Sequence, residues 1–386
     1  VNIAIDIRHL GTGMRGGIPE YTLGISRALV SLFPNDRFIF FAAGSKGKAL
    51  ASSLDFLDRN NARFVHIPLP TRALDPFLKY IRAPKLDMML GNPDIIFSPH
   101  FLLTPSICPR LLVIHDLSFV RFPELFSWRG RLWHWFMDPL AQSKSASAII
   151  AVSNATKSDL GAIWRIPEHK IHVVYSGIDD GIGREKTDMV ALRQRVKLPP
   201  RFILALSVIE PRKNYAALLR AFEIVKARTA SWRDISLVVA GPAGRGADSL
   251  MRAAQRSTVA GDVYFTGYIG AEDKITLLRS AEVFVYPSFF EGFGFPPLEA
   301  MASGVPVIVS DRASLPEVTQ RAAVSVDPYN VTALASALER VIEDEPLRRR
   351  LRQEGSNCAA RFTWSSAAQD VRRIMDEVVE MSRVRH

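Results

Sequence analysis

The feature that most constrains the fold is a recurrence of short β-branched or aromatic runs separated by longer amphipathic segments. Seven runs fill the first half: "NIAIDI", "RFIFFAA", "RFVHIPL", "DIIFSPH", "LLVIHDL", "AIIAVS" and "IHVVYSG". Six fill the second: "RFILALS", "ISLVVAG", "VYFTG", "VFVYPS", "VPVIVS" and "AAVSV". Such an alternation is the pattern of parallel strands joined by crossover helices. A chain of 386 residues exceeds one ordinary core, so two α/β domains are expected, each a doubly wound sheet.

Between the two series, "GIDDGIGREKTDMVALRQRVKLPP" replaces the strand pattern with turn formers, charges and one short helix. Residues 181–200 are therefore the expected linker between a first domain at 1–180 and a second at 201–363. Ligands of doubly wound sheets bind at the carboxyl ends of strands, so the motifs should lie on loops after strands and line a cleft between the domains. The segment from Ser365 places Ala368, Val371, Ile374, Met375 and Val378 at helical spacing, an amphipathic stripe that either domain could receive.

Composition excludes several classes. Apolar residues are 48% and charged residues 23%, as in ordinary globular proteins. The net charge of +10 is spread over both halves and fits a protein that handles anions. "RRRLRQ", Arg348 to Gln353, reads as the solvated face of a helix. Cys108 and Cys358 form no CxxC, and no secretory leader or uniformly apolar window of about 20 residues occurs, which predicts a reduced cytosolic protein that does not span a membrane.

Several loops carry the chemistry. "GTGMRGG" holds a formal GxGxxG at Gly11, Gly13 and Gly16, but the first glycine follows Ile7 by four residues and no acid ends the second strand. A dinucleotide-binding dehydrogenase is thus the weaker reading, and Gly16 and Gly17 read better as a close backbone approach to a ligand where a helix begins near Ile18. A tight turn accounts equally for one or two of these glycines. "LLVIHDLSF" places His115 and Asp116 at a strand end, where a satisfied core histidine and a catalytic one both fit. "ALSVIEPRKN" delivers Arg212 and Lys213 to a helix start, unfavourable for cations unless an anion binds between them, and Asn214 can cap that helix. "LVVAGPAGRG" is a second glycine-rich turn without the GK[ST] of a P-loop.

"YPSFFEGFGFPPLEAMASG" places Glu291 in a glycine-rich loop and Glu299 beyond Pro296 and Pro297. Prolines inside a helix cost about 3 kcal/mol each, so the helix is expected to start at them, with Glu299 in its first turn. An acid there also serves the helix dipole, whereas Glu291 has no such structural role. No DxD and no His/Glu pair at metal spacing appears, so bound phosphates would be met by Arg212, Lys213, amides and helix ends.

Taken in order, "RGGIPEYT", "IHD", "AVSNATKSDL", "EPRKN", "EGFGFPPLE" and "RFTW" resemble retaining GT-B glycosyltransferases of family 4, with their E-x7-E motif, over essentially the whole chain. The resemblance implies two Rossmann-like domains facing a cleft, with the C-terminal helix 364–386 crossing back to the first domain, the acceptor side. It implies that Glu291 holds donor-sugar hydroxyls with amides around Gly292, Phe293, Gly294 and Phe295, and that Glu299 binds the ribose. Arg212 and Lys213 would neutralise the leaving diphosphate, His115 would lie beside the anomeric carbon, and Gly16 and Gly17 would face the donor. The base would pack near Gly267 and Tyr268. Many relatives carry a "GR" pair where this chain has Leu206 and Ser207, a position that Arg212 would serve instead.

The "EPRKN" subgroup resembles mannosyl- and rhamnosyltransferases of bacterial surface polysaccharides. The expected reaction moves a hexose from a nucleotide diphosphate sugar, GDP-mannose first, to a glycan or lipid-linked glycan, without metal, cofactor or nucleic acid. A rhamnosyl- or glucosyltransferase with another donor and a nucleotide-sugar epimerase on the same scaffold are the alternatives. "FSWRGRLWHWF", Phe126 to Phe136, is either a helix packed on the first sheet or a peripheral membrane or lipid-linked acceptor contact. A cytoplasmic protein in contact with the inner face of the membrane is expected.

Overall fold

The apolar runs become strands because both of their faces are covered: "RLLVI" and "AIIA" are buried at every position. The computed structural model describes residues 1–13, 16–179, 182 and 188–384. The chain divides into two units, Val1–Gly177 with Thr363–His386, and Ile178–Phe362.

In the first unit, β1 (Asn2–Asp6), β2 (Arg37–Ala43), β3 (Ala62–Ile67), β4 (Ile95–Ser98), β5 (Arg110–Ile114), β6 (Ala148–Ala151) and β7 (Ile171–Val173) form one sheet. Its order is β3-β2-β1-β4-β5-β6-β7, and every pairing is parallel. In the second unit, β8 (Arg201–Leu206), β9 (Ile235–Ala240), β10 (Val263–Gly267), β11 (Val283–Tyr286), β12 (Val307–Ser310) and β13 (Val324–Val326) follow the order β10-β9-β8-β11-β12-β13. Each order reverses once, between β1 and β4 and between β8 and β11. Loops leaving the two strands at such a point run to opposite sides and open a crevice, which is where doubly wound sheets bind ligands.

The C-terminal helix, Trp364–Val384, packs on the Gly17–Leu32 helix of the first unit and buries Ala368, Val371, Ile374, Met375 and Val378. Trp364 is seated by missing side chains. A Cβ on Gly24 would lie 2.1 Å from its Cε2, and one on Gly177 would lie 2.1 Å from its backbone nitrogen. Arg372 adds an ion pair to Asp36, with Nε 2.5 Å from Oδ2. Residues 385 and 386 of the expected helix lie outside the described residues, as do Met14 and Arg15 of the first glycine-rich loop.

The expected linker is corrected by packing. Residues 181 and 183–187 lie outside the described residues, but Met189–Val196 is a helix that packs on the Ala271–Arg279 helix, with Leu192 buried. This stretch therefore belongs to the second unit, whose first residue is Ile178. Its one short amphipathic turn had an apolar side, and the second sheet's helices supply the cover.

Candidate functional site

In the second unit the site forms at the reversal of strand order. β8 ends at Leu206, and the chain makes a tight 3-10 turn at Pro211–Lys213. Asn214 then takes a left-handed conformation, φ 57°, before the Tyr215–Arg228 helix. The cations thus stand in the turn before the helix and not in its first turn. Asn214 does not cap that helix with its side chain; its Nδ2 donates to the Pro328 carbonyl at 2.7 Å and ties the turn to the loop after β13.

β11 delivers the partner. Glu291 follows it by five residues and is 7% exposed. Lys213 Nζ donates to Glu291 Oε1 at 2.7 Å, and Arg212 Nη1 donates to Oε2 at 2.8 Å. The anion expected between the two cations is, in this structure, the Glu291 carboxylate itself. Burial alone would raise its pKa, but the charges of Arg212 and Lys213 outweigh that and hold it at about 2. Lys213, 5% exposed, is shifted downward by burial and by Arg212, against the pull of Glu291.

Several groups that carried no sequence signal complete the cluster. Lys213 Nζ also donates to the Tyr286 hydroxyl at 2.7 Å and lies 5.0 Å from that ring's centroid. Arg212 Nη2 donates to Glu210 at 2.8 Å, and Nη1 donates to the Phe290 carbonyl at 2.8 Å. The Arg212 carbonyl accepts from Phe289 N at 2.9 Å, so one arginine fixes the loop at both backbone and side chain.

The loop from Glu291 to Gly294 is clasped from the other side. Ser314 Oγ lies 2.8 Å from the carbonyl oxygens of both Glu291 and Phe293. Gly294 has φ 113°, and a Cβ there would meet Leu315 at 2.8 Å, so both conformation and packing require glycine. The following helix runs Phe295–Ala302 with its prolines at the start, as expected. Glu299 is its fifth residue, past the first turn, is 3% exposed and pairs with Lys274. Its partner is thus the half-buried Lys274 ammonium and not the helix dipole.

The remaining candidates of this unit lie at the ends of β8 and β10. Gly241, φ 133°, approaches so closely that a Cβ would lie 1.9 Å from the Ser207 carbonyl oxygen. Its amide donates to the Gly267 carbonyl at 2.8 Å, which joins the strand ends near Ser207, Gly267 and the exposed Tyr268. Gly292 and Phe293 are buried in the clasped loop and Phe295 at the start of the helix that follows it.

In the first unit, Gly16 has φ 108° and precedes the helix that begins at Gly17, with open space where its Cβ would be. Conformation, not crowding, calls for glycine there. His115 Nε2 lies 2.8 Å from the Pro99 carbonyl, so that nitrogen carries the proton. The ring packs edge-on to Tyr21 at 5.0 Å, and burial lowers its pKa. Asp116 turns away to accept from Ser118 N and Oγ.

The "FSWRGRLWHWF" segment is a helix over Trp128–Met137, capped by Ser127, whose Oγ accepts from Gly130 N at 3.1 Å. Trp133, Phe136 and Met137 face inward, while Trp128, Leu132 and Trp135 are 63%, 52% and 69% exposed. Phe77, Tyr80 and Ile81 are exposed on a turn beside it, where the Lys79 ammonium lies 4.9 Å from the Trp135 ring centroid. No helix among the described residues is long and apolar enough to cross a membrane.

Comparison with known proteins covers both units. The sequence matches the family described as Glycosyltransferase Family 4 over residues 15–181, and Glycosyl transferases group 1 over residues 191–357. It is 30% identical over 274 residues to the O-antigen chain mannosyltransferase B of Escherichia coli, covering 70% of this chain and 71% of that one. It is 29% identical over 300 residues to the serotype-specific mannosyltransferase WbdA of Escherichia coli, covering 73% of this chain but 37% of that one. Anabaena HepE, in complex with UDP and glucose, superposes with a TM-score of 0.75 at 18% identity, over 97% of this chain and 99% of that one. Sucrose-phosphate synthase from Thermosynechococcus elongatus gives 0.74 at 18% identity, over 98% and 99%. At such identity the structural likeness carries the fold.

Proposed function

The chain belongs to the family 4 glycosyltransferases of GT-B fold, and from that premise we propose that it transfers a hexose from a nucleotide diphosphate sugar to a glycan hydroxyl with retention of configuration. The observation that carries this reading is the buried Arg212–Lys213–Glu291 cluster at the reversal of the second sheet. It offers two cations to a diphosphate and one ionised carboxylate to sugar hydroxyls, within one hydrogen-bonded unit. Glu299, eight residues beyond Glu291 on the Phe295–Ala302 helix and paired with Lys274, is the acceptor for ribose hydroxyls.

In the proposed reaction the bond from the anomeric carbon to the phosphate oxygen breaks while an acceptor oxygen bonds to the same face. The acceptor proton passes to the departing phosphate, so no side chain serves as nucleophile. Charge grows on the leaving diphosphate, and Lys213 and Arg212 stabilise it as it forms. That role, with no metal required, is the electrostatic reason for placing two cations in so buried a turn.

The names of the mannosyltransferase relatives favour mannose as the sugar, and GDP-mannose is the first donor to test. The exposed Trp128, Leu132 and Trp135 face supports a peripheral membrane contact, suited to a lipid-linked acceptor at the cytoplasmic face. A panel of nucleotide sugars, read by donor-dependent nucleotide release, tests the activity, and NMR of the product's anomeric centre tests retention. Near-normal turnover in Lys213→Ala or Glu299→Ala would sink the site. Isomerised donor without any acceptor would establish an epimerase instead, and equal flotation with vesicles by a Trp128→Ser, Trp135→Ser variant would remove the membrane reading.

A further inference from the structure

Tyr286 is the last residue of β11 and is 2% exposed. Residues two apart on a strand share a face, and the Phe284 and Tyr286 rings lie 6.0 Å apart at 21°. Packing therefore sets the ring, and a phenylalanine would pack there as well. What tyrosine adds is a hydroxyl, which must find a partner when it is buried. It accepts from Lys213 Nζ at 2.7 Å, across 73 residues of chain.

An ammonium carries three N–H donors. Lys213 gives one to Tyr286 and one to Glu291 Oε1, also at 2.7 Å, and the third has no acceptor among the described residues. Acceptors on two elements, the end of β11 and the loop that follows it, fix the rotation of the ammonium. With two N–H directions held, the tetrahedral nitrogen leaves one direction for the third. Arg212 meanwhile anchors the loop through Glu210, the second Glu291 oxygen and the Phe290 carbonyl. Lys213 is the cation whose aim Tyr286 can set.

We infer that Tyr286 is a positioning residue of the donor site, whose hydroxyl turns the Lys213 ammonium so that its third N–H faces a phosphate oxygen of the leaving diphosphate. The inference rests on the glycosyltransferase reading and adds to it the group that aims the cation.

The hydroxyl also bears on the charge of Lys213. Burial lowers the lysine, Arg212 acts in the same direction, and Glu291 and Glu210 oppose both. An acceptor bonded to the charged form favours that form, so Tyr286 acts on the side of the two carboxylates. Burial pushes the Tyr286 hydroxyl itself far above its ordinary range, and the Glu291 charge and neighbouring Tyr215 add to this. It therefore stays a neutral acceptor. Without it, Lys213 gives up its proton at a lower pH.

The test uses the whole chain and inorganic pyrophosphate. Titration calorimetry gives Kd for wild type, Tyr286→Phe, Lys213→Met and the double variant, from about pH 7 to about pH 10, where a depressed lysine titrates, and thermal unfolding checks the fold. Tyr286→Phe should bind about tenfold more weakly near neutrality, the effect of losing one hydrogen bond to a charged group. Its affinity should also fall away roughly one pH unit below that of wild type. In the Lys213→Met background the same substitution should change nothing, because a residue that acts through Lys213 is silent once Lys213 is gone. Equal binding by wild type and Tyr286→Phe overturns the role. A tenfold loss in both backgrounds also overturns it and makes Tyr286 a support of the fold alone.

A second readout needs no ligand. Nitrogen NMR of labelled lysine side chains identifies the Lys213 signal by its loss in Lys213→Arg, which keeps the buried charge. The titration midpoint should lie roughly one unit lower in Tyr286→Phe than in wild type, and an unmoved midpoint overturns the role whether or not pyrophosphate binds. A moved midpoint with no pyrophosphate binding by wild type overturns the diphosphate reading of the whole site, so the two failures are distinguishable.

Discussion

Lys213 and Glu291 are joined by a 2.7 Å ion pair in which both residues are over nine-tenths buried, with Arg212 on the second carboxylate oxygen. Removing one member of such a group does not cost the energy of the pair; it costs the burial of whatever charge is left. Glu291→Ala leaves the buried Lys213 without its carboxylate beside Arg212, which keeps Glu210, and this should lower stability by about 3–5 kcal/mol. Pyrophosphate brings replacement charge to the same cations and should therefore raise the Tm of Glu291→Ala by more than it raises that of wild type. Calorimetry or dye-monitored unfolding reads both, and equal shifts would show that the diphosphate binds elsewhere.

The same carboxylate sets a pH signature. Its pKa in the fold is about 2, below the ordinary glutamate value of about 4.3. A depressed carboxylate contributes stability that is fully present above its unfolded pKa and lost as pH falls through the folded one. The two values span a window from about 4.3 down to about 2, worth on the order of 3 kcal/mol. Wild type should exceed Glu291→Gln in Tm above that window, and the gap should close across it. A gap independent of pH would mean that geometry, not charge, makes the difference.

Gly24 offers a prediction of unusual sign. Glycine to alanine inside a helix ordinarily stabilises by about 0.5–1 kcal/mol. Here the new methyl would lie 2.1 Å from Trp364 Cε2, so Gly24→Ala should instead lower Tm and loosen the C-terminal helix. Limited proteolysis near residues 360–364 should speed up in the variant. A Tm at or above wild type would show that Trp364 can re-seat without loss.

The thirteen strands among the described residues were legible because both sheets are parallel and covered on both faces, which writes continuous apolar runs into the chain. The importance of Arg212, Lys213 and Glu291 was legible from a charge placed where helix physics disfavours it and from an acid in a glycine-rich loop. Their mutual bond was not, because the residues lie 78 and 79 apart in sequence and only the adjacency of β8 and β11 brings them together. Asn214 read as a cap because the sequence does not reveal that its backbone turns left-handed and points the amide at Pro328. Glu299 reads as a first-turn acid in the sequence because the prolines mark the expected helix start, whereas the helix starts at Phe295 and the half-buried partner Lys274 carries no motif. Nothing in the sequence marks Tyr286 for a role, since its hydroxyl meets Lys213 across 73 residues of chain and only through the adjacency of β8 and β11.

Ser314 separates the two ends of the proposed donor. Its hydroxyl lies 2.8 Å from the carbonyl oxygens of Glu291 and Phe293, and Gly294 presses against the neighbouring Leu315. The hydroxyl therefore holds the curve of the loop that carries Glu291, the residue proposed to face the sugar, while Glu299 stands on the helix. Ser314→Ala removes a hydrogen bond worth about 0.5–1.5 kcal/mol, so the fold should survive with a small loss of Tm. The KM for the intact nucleotide sugar should rise by roughly tenfold, the response of a contact misplaced by loop relaxation. The Kd for the nucleotide diphosphate alone, measured by titration calorimetry, should stay near the wild-type value. An equal loss for sugar-bearing and sugar-free ligands would place Ser314 in general support of the unit and detach it from the sugar end of the site.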